Sequence, residues 1–143
     1  MTQISYVVDA GVGVKLFLKE NYTAEVQTLF RTIPSLAVPD MFYMEIANVL
    51  WHKIQRGLYT QRDALDNLND LTAMALITTP SIELMSRALE IGCRYKIAAY
   101  DACYVTLAER YDAPLLAEDE KLVQRMRGSP IRVMTIGDYL LYP

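Results

Sequence analysis

The segment ISYVVDAGVGV, from Ile4 to Val14, constrains the fold more than any other part of the chain. Its first half is a short run of β-branched and aromatic side chains, which is typical of a strand buried on both faces in a parallel sheet. Asp9 ends this run, and Gly11 and Gly13 then separate it from a helical pattern. We therefore expect a buried strand whose carboxyl end carries Asp9.

Asp9 has two interpretations on this segment alone. Ligands of open α/β sheets bind outside the carboxyl ends of the strands, so a carboxylate there is placed for chemistry. Aspartate is also a preferred helix N-cap and commonly stands between a strand and a helix. The segment favours neither interpretation over the other.

The rest of the chain alternates short apolar runs with helical patterns. Strands are predicted at 36–38, 76–78, 114–117 and 131–135, and helices at 12–18, 23–31, 41–55, 60–74, 81–94, 99–111 and 120–126, with a last turn or helix at 136–142. Strands alternating with helices indicate βαβ units, and hence a parallel sheet with helices on both faces. No linker or internal repeat divides the chain, so we expect one domain over 1–143.

Composition narrows the class of protein. The chain is 52% hydrophobic and 22% charged, which is ordinary for a folded soluble protein. No apolar run approaches the roughly 20 residues of a membrane helix, and the N-terminus lacks a signal-peptide pattern. Cys93 and Cys103 form no CxxC pair, so we expect reduced thiols in a cytoplasmic protein. The net charge of −3 neither indicates nor excludes nucleic-acid binding, because a local basic patch decides that.

Four acidic residues stand where solvent is not expected. Asp9 and Asp119 follow predicted strands, whereas Glu45 and Asp101 lie on the apolar faces of predicted helices. Helices that flank a parallel sheet can bring all four carboxylates to one end of it.

Such a cluster of carboxylates is destabilising unless its members are protonated or bound to a cation. Two unit charges about 4 Å apart repel by about 4 kcal/mol at an effective dielectric constant near 20. Oxygen ligands suit Mg²⁺ or Mn²⁺, and His52 is the only histidine available for another kind of metal site. An acidic Mg²⁺ cluster points to phosphoryl transfer or phosphodiester hydrolysis.

Other chemistries fit the residues less well. The glycines after the first strand imitate a dinucleotide fingerprint, but Leu16 occupies the third glycine position and no P-loop exists. A phosphoaspartate enzyme would need a second carboxylate where this chain has Gly11. A Ser–His–Asp site would need His52, which lies in the middle of a predicted helix without a nucleophile elbow.

Three segments in order resemble the PIN-domain nucleases: VVDAGVGVKLFL, VPDMFYMEIANVLWHKIQRGLY and AAYDACYVTLAERYDAPLLAEDEKL. The resemblance covers nearly the whole chain and is to the toxins of VapBC-type toxin–antitoxin pairs. It implies a three-layer α/β/α PIN-like domain with a five-stranded parallel sheet. It also implies a Mg²⁺- or Mn²⁺-dependent endoribonuclease that hydrolyses RNA phosphodiester bonds as the toxin of a type II system. By motif position, the catalytic and metal-binding residues would be Asp9, Glu45, Asp101 and Asp119.

The resemblance implies partners as well as chemistry. These are an RNA substrate, a small VapB-like antitoxin and a second copy of the chain in a homodimer, with no membrane association. The family often has Ser or Thr where this chain has Gly11 and Ala117, and those hydroxyls would assist metal or phosphate contacts. Glu118 and Glu120 flank Asp119 and either replace it or are solvated; motif position favours Asp119.

Contacts with RNA must come from local features, since the net charge is repulsive. The candidate substrate-binding residues are Lys15, Arg56, Tyr100 and Tyr104. The two tyrosines flank Asp101 and would stack on unpaired bases, whereas most of the ten tyrosines are more simply core or interface residues. For any single cation, an ordinary solvated residue is the better interpretation. The wider set of candidate cations is Lys15, Lys53, Arg56, Arg94, Lys96, Lys121 and Arg125.

Two rival functions remain open from the sequence. One is a PIN-fold module that binds RNA or protein without catalysis, against which the four retained acids weigh. The other is a DNA or flap nuclease, whose large insertions this short chain lacks.

Overall fold

The fold is built on a five-stranded parallel sheet. A computed structural model describes residues 3–141 of the chain. Its strands are β1 (Tyr6–Val8), β2 (Leu36–Pro39), β3 (Ile77–Thr79), β4 (Leu115–Ala117) and β5 (Val133–Thr135). They are arranged in the order β3-β2-β1-β4-β5, and every neighbouring pair is parallel. The predicted α/β class with a parallel sheet is confirmed.

Helices connect and cover the strands. They are α1 (Ala10–Gly13), α2 (Thr23–Thr32), α3 (Met41–Gln55), α4 (Gln61–Thr72), α5 (Met85–Tyr95), α6 (Ala99–Tyr111), α7 (Glu120–Met126) and α8 (Ile136–Leu141). Two short 3-10 turns, Val14–Leu16 and Ser81–Glu83, precede α2 and α5. Within residues 3–141, no helix combines the length and the apolar character that a membrane crossing requires.

The central strand β1 is covered on both faces. Val7 and Val8 point to opposite faces of the sheet, and both are 0% exposed. In register, Val7 lies beside Leu115 and Val8 beside Leu116 of β4, which are also fully buried. Helices therefore lie on both sides of the sheet, as a three-layer α/β/α architecture requires.

Helix α6 is the most buried helix of the fold. Its residues 102–108 are all buried, and it packs against β1, β2 and β4. This explains why its sequence is apolar on nearly every face instead of amphipathic. Because α6 ends shortly before β4 begins, it runs antiparallel to the strands. Its first turn, which contains Asp101, therefore lies at the carboxyl end of the sheet, where the parallel strands finish.

The first helix begins earlier than its sequence pattern predicts. The predicted helix at 12–18 is α1, from Ala10, followed by the 3-10 turn that ends at Leu16. The cause is a cap, since Asp9 Oδ1 accepts a 2.8 Å hydrogen bond from the Val12 amide. The N-cap interpretation of Asp9 is thus confirmed, and it does not exclude a functional one.

Two further boundaries differ for local reasons. The predicted helix at 81–94 is interrupted at Leu84, whose fully buried side chain separates the 3-10 turn from α5. The Ser81 amide donates to Asp40 Oδ1 at 3.0 Å, which ties this turn to the start of α3. The fifth strand begins at Val133 instead of 131, because the Ser129 hydroxyl bonds both the amide and the carbonyl of Ile131. Tyr142, in the predicted last turn, lies outside the described residues.

The burial of α6 predicts a large difference between two identical substitutions. Leu107→Ala removes a fully buried side chain from α6 and should lower the free energy of unfolding by about 2–5 kcal/mol. Leu89→Ala, in α5, removes a side chain that is 62% exposed and should change it by less than about 0.5 kcal/mol. Urea unfolding followed by circular dichroism compares the two. Equal losses would contradict the packing described for α6.

Candidate active site

Two of the predicted acids follow neighbouring strands. The Asp9 amide donates to the Leu116 carbonyl at 3.1 Å, so the chain is still paired with β4 just beyond the end of β1. Asp119 lies two residues beyond β4, where it is the N-cap of α7 and accepts a 2.8 Å hydrogen bond from the Lys121 amide. Both carboxylates therefore stand at the carboxyl end of the sheet.

Glu45 reaches the same region from α3, which begins directly after β2, the other neighbour of β1. Its helix buries Phe42 and Ile46 against the core, and Glu45 beside them is itself partly buried. Glu45 Oε1 is one of two side-chain polar atoms in residues 3–141 that are buried without a hydrogen-bond partner. A buried carboxylate oxygen without a partner is costly, and a cation is the kind of ligand that removes the cost.

Asp101 connects the four acids electrostatically. Its negative charge raises the pKa values of Asp9 and Glu45, although burial is the larger cause in both. The pKa of Asp101 is itself raised, first by burial and then by the charge of Asp119. The structure thus brings together all four of the acids that the sequence singled out.

Asp9 has the most perturbed of these carboxyl groups. Burial raises its pKa from 3.8 to about 7, against two hydrogen bonds that lower it, from the Val12 and Glu118 amides. The charges of Glu118 and Asp101 raise the pKa further. A carboxyl group whose pKa is raised this far is partly protonated at neutral pH unless a cation lies beside it.

Tyr104 is the second buried polar group without a partner. Its side chain is 2% exposed, and its hydroxyl lies close enough to Glu45 to affect the pKa of that carboxyl, without reaching hydrogen-bond geometry. Burial and the charges of Glu45 and Asp9 raise the pKa of Tyr104, so the phenol stays protonated. The prediction that Tyr104 stacks on RNA bases does not fit this position, since its ring belongs to the core.

Two other candidate substrate contacts, Tyr100 and Arg56, are both exposed but lie in different places. Tyr100 is 74% exposed in the first turn of α6, next to Asp101. Arg56 is exposed but caps the far end of α3, about 16 Å along the helix axis from Glu45. Tyr100 therefore lies at the predicted site, and Arg56 does not.

Lys15 is buried instead of facing RNA. It is 3% exposed, and its ammonium group contacts Glu20 Oε2 at 3.0 Å and Glu118 Oε1 at 3.3 Å. Its charge is thus already matched by two carboxylates, and its assignment as an RNA contact does not fit this position. Glu118, left open by the sequence as a replacement for Asp119, is the partner of Lys15.

Two of the wider set of cations meet near the first turn of α6. The Arg125 guanidinium of α7 donates to the Lys96 carbonyl at 3.2 Å, and Lys96 lies in the loop just before α6. Both side chains are exposed. Lys96 is five residues before Asp101, and Arg125 lies in the helix that Asp119 caps.

The donor set fits Mg²⁺ or Mn²⁺ in kind. All four predicted ligands are carboxylates, and one of their oxygens is buried without a hydrogen bond of good geometry. Besides burial, the charge of Asp101 raises the pKa values of Asp9 and Glu45, and the charge of Asp119 raises the pKa of Asp101. In the part of the chain that the structure describes, no three acidic, histidine or cysteine side chains stand close enough to form a finished set of metal ligands. The four carboxylates share one end of the sheet and are not drawn together into a single coordination sphere.

The geometry agrees with the family to which the sequence is similar. Residues 6–127 match the PIN domain, which is most of the chain. The chain belongs to the PIN-domain family. The resemblance stated from the three sequence segments is therefore confirmed.

Curated relatives of this PIN domain are ribonucleases by name. Ribonuclease VapC3 of Pyrobaculum aerophilum is 29% identical over 121 residues, which cover 83% of this chain and 92% of that protein. Ribonuclease VapC9 of Mycobacterium tuberculosis is 31% identical over 116 residues, which cover 81% of this chain and 87% of that protein.

Solved structures share the PIN fold at low sequence identity. PAE2754 from Pyrobaculum aerophilum has a TM-score of 0.74 at 21% identity, covering 97% of this chain and 88% of that one. Mycobacterium tuberculosis VapC20, a sarcin–ricin-loop-cleaving toxin, has a TM-score of 0.66 at 15% identity, with 82% and 92% covered. A toxin–antitoxin complex from Klebsiella pneumoniae has a TM-score of 0.64 at 17% identity, with 92% and 97% covered.

The sequence pattern missed the residues that surround the acids. Glu20 is a partner of Lys15 across a loop, and no helical or strand spacing links the two. The role of Gly11 was also hidden: a Cβ atom there would lie 2.6 Å from Glu118 Cβ. A Ser or Thr at this position, frequent in the family, would collide with Glu118, so the departure from the family pattern has a steric reason.

The raised pKa of Asp9 predicts how stability depends on pH. Below about pH 3 this group is protonated in both the folded and the unfolded chain, since its pKa values are about 7 and 3.8. As the pH rises toward 7, Asp9 ionises in the unfolded chain but stays largely protonated in the folded protein. The unfolded state is therefore favoured increasingly, and the free energy of unfolding decreases. Without divalent cations, the loss between pH 5 and 8 should be about 3 kcal/mol.

Urea unfolding in EDTA at several pH values measures this loss. Asp9→Asn should flatten the dependence on pH, because the neutral amide has no charge to bury. Asp66→Asn, on the exposed side of α4, should leave the slope as in the wild type. A wild-type stability that stays level or increases between pH 5 and 8 would contradict the burial of the Asp9 charge.

Proposed function

We propose that this PIN-domain protein is a VapC-type endoribonuclease, the toxin of a type II toxin–antitoxin system, which hydrolyses RNA phosphodiester bonds with Mg²⁺ or Mn²⁺. One observation carries the proposal: carboxylates from four separate elements lie at the carboxyl end of the sheet, near enough for their charges to act on a neighbouring acid. The ribonuclease names of relatives that align over most of the chain support the same conclusion.

Asp9 and Asp101 would hold the metal most directly, with Glu45 and Asp119 completing the site through direct or water-bridged contacts. Glu45 supports this assignment, since its buried Oε1 makes no hydrogen bond of good geometry, although the Tyr104 hydroxyl lies nearby, and a cation would satisfy it. A bound divalent ion would supply a water of lowered pKa and offset the negative charge that develops on the scissile phosphate.

The protein's own residues would set the geometry for that ion. The Asp9 carboxylate is fixed by two backbone amides, from Val12 at 2.8 Å and Glu118 at 3.1 Å, so it cannot rotate freely. Asp119 is likewise fixed by the Lys121 amide. Carboxylates oriented in advance lose little entropy when they bind a ligand, which favours a well-defined site.

Substrate contacts would come from the surface around Asp101. Tyr100 presents an exposed ring there, and aromatic rings bind single-stranded nucleic acid by stacking on bases. Lys96 and Arg125 would contact phosphates beside the same helix. These local cations would offset the repulsion between RNA and a chain of net charge −3.

An antitoxin and a second copy of the chain complete the proposed assembly. The Klebsiella pneumoniae complex shares this fold and contains both a toxin and an antitoxin, which supports a VapB-like partner. Ile82, Met85 and Leu89 expose 71%, 60% and 62% of their surfaces along α5 and the turn before it. An apolar surface of this kind suits contact with protein, and light scattering of the purified chain would test for a homodimer.

Asp101→Asn should test the catalytic proposal. The amide keeps the shape of the side chain but removes the charge, so Mn²⁺-dependent cleavage of a structured RNA pool should fall by at least about 100-fold. The unfolding temperature should not decrease, because the substitution removes a repelled charge. Asp66→Asn provides a matched control on the surface of α4 and should cleave as the wild type does.

Two results would contradict the proposal in different ways. Full activity in Asp101→Asn would remove Asp101 from the site. A wild-type protein that binds RNA but shows no cleavage with Mn²⁺ or Mg²⁺ would favour the alternative, a PIN-fold binding module without catalysis.

Tyr100→Ala should test the proposed stacking contact. Loss of one base-stacking ring typically costs about 1–3 kcal/mol, so KM for RNA should rise by about 5- to 150-fold. The maximal rate should change much less, since Tyr100 contributes no ligand. Tyr100→Phe keeps the ring and serves as the control, and it should restore KM; an unchanged KM in Tyr100→Ala would place the RNA elsewhere.

A further inference from the structure

A lysine is unusual at position 15, because the residue there is almost completely buried. Its side chain is 4% exposed, and its ammonium group lies 3.0 Å from Glu20 Oε2 and 3.3 Å from Glu118 Oε1. Removing charges from water costs several kcal/mol per ion, and well-packed apolar residues often stabilise such a position equally well. The cation therefore calls for a role beyond filling space.

Its partner Glu118 lies between two of the proposed metal ligands. The Glu118 amide donates to Asp9 Oδ2 at 3.1 Å, and the following residue is Asp119. The Glu118 side chain is half exposed, and its charge is near enough to raise the pKa of Asp9. Free of Lys15, this half-exposed carboxylate would be near enough to Asp9 to act on a cation bound there.

A close approach of two backbone segments holds Glu118 in this place. A Cβ atom on Gly11 would lie 2.6 Å from Glu118 Cβ and 3.2 Å from its Cγ, so α1 and the segment after β4 touch here. Lys15 lies on the same segment as Gly11, one helical turn further on. Glu118 is thus fixed by its amide at one end and by the ammonium group at the other.

We propose that Lys15 is a positioning residue that holds the Glu118 carboxylate away from the metal site, so that four carboxylates and not five serve the bound cation. This inference rests on the proposed function. A fifth carboxylate would bind the cation more tightly, because ligand charge sets affinity. It would also add negative charge beside the cation that must polarise water and phosphate, and so slow the cleavage.

Lys15→Met should therefore separate metal affinity from activity. The dissociation constant for Mn²⁺, measured by isothermal titration, should fall by about fivefold, and cleavage should slow by at least about tenfold. A residue that only stabilises the fold would change the unfolding temperature without tightening Mn²⁺ binding. Unchanged or weaker Mn²⁺ binding in Lys15→Met would overturn the proposal.

Two double variants distinguish a specific effect from a change in net charge. Lys15→Met with Glu118→Gln removes the carboxylate that was released, and should restore both Mn²⁺ affinity and cleavage toward wild-type values. Lys15→Met with Glu20→Gln makes the same change in net charge but leaves Glu118 free, and should restore neither. Equal restoration by the two double variants would overturn the proposal.

Glu118→Gln alone provides a test that does not require Lys15→Met to fold. Since Glu118 is held outside the site, this variant should keep Mn²⁺ affinity and cleavage within about twofold of the wild type. A tenfold loss of affinity would identify Glu118 as a ligand already and would overturn the proposal. Absence of Mn²⁺ binding and cleavage in the wild type, measured alongside, would instead overturn the proposed function itself.

Discussion

The pairing of β1 with β4 at the centre of the sheet is the constraint from which the site follows. These strands are buried on both faces, so their register is fixed by the fully buried pairs Val7–Leu115 and Val8–Leu116. Asp9 and Asp119 follow directly from their ends. A shift of the register by one residue would place core side chains in the wrong layer and would also separate the two carboxylates.

Beside this pairing, at the proposed active site, acidic side chains are buried and repel one another. Burial raises the pKa of Asp9 to about 7, and burial first and then repulsion from a neighbouring acid raise the pKa values of Glu45 and Asp101. Carboxylates gathered in this way destabilise the folded chain at neutral pH and favour binding of a divalent cation. A site that costs stability in the absence of its ligand is a common compromise in functional proteins.

Two residues next to the acids, Gly11 and Lys15, limit this cost in stability. Gly11 lets α1 approach the segment after β4, where a larger side chain would collide with Glu118. Lys15 places a positive charge between Glu20 and Glu118. Together, Gly11 and Lys15 hold in place the carboxylate of Glu118, whose backbone amide binds Asp9. The absence of a hydroxyl at position 11 is therefore part of the packing of the site and does not argue against its function.

The sequence alone determined the fold class, the five strands and the four acids at the carboxyl end of the sheet. It could do so because buried parallel strands leave continuous apolar runs, as in Tyr6–Val8, and because a carboxylate within such a pattern is conspicuous. Helices α3, α6 and α7 were also predicted to their terminal residues, since the signals that start and stop a helix lie in the local sequence.

Only the tertiary structure decided which side chains are accessible and which charges are paired. Lys15 and Tyr104 are buried, although nothing in their local pattern distinguishes them from exposed residues such as Tyr100. The partnership of Lys15 with Glu118 joins residues 103 positions apart, and the interruption of the predicted helix at Leu84 depends on burial in the core. Periodicity reports which face of an element is apolar, whereas burial and ion pairing depend on what other elements place against that face.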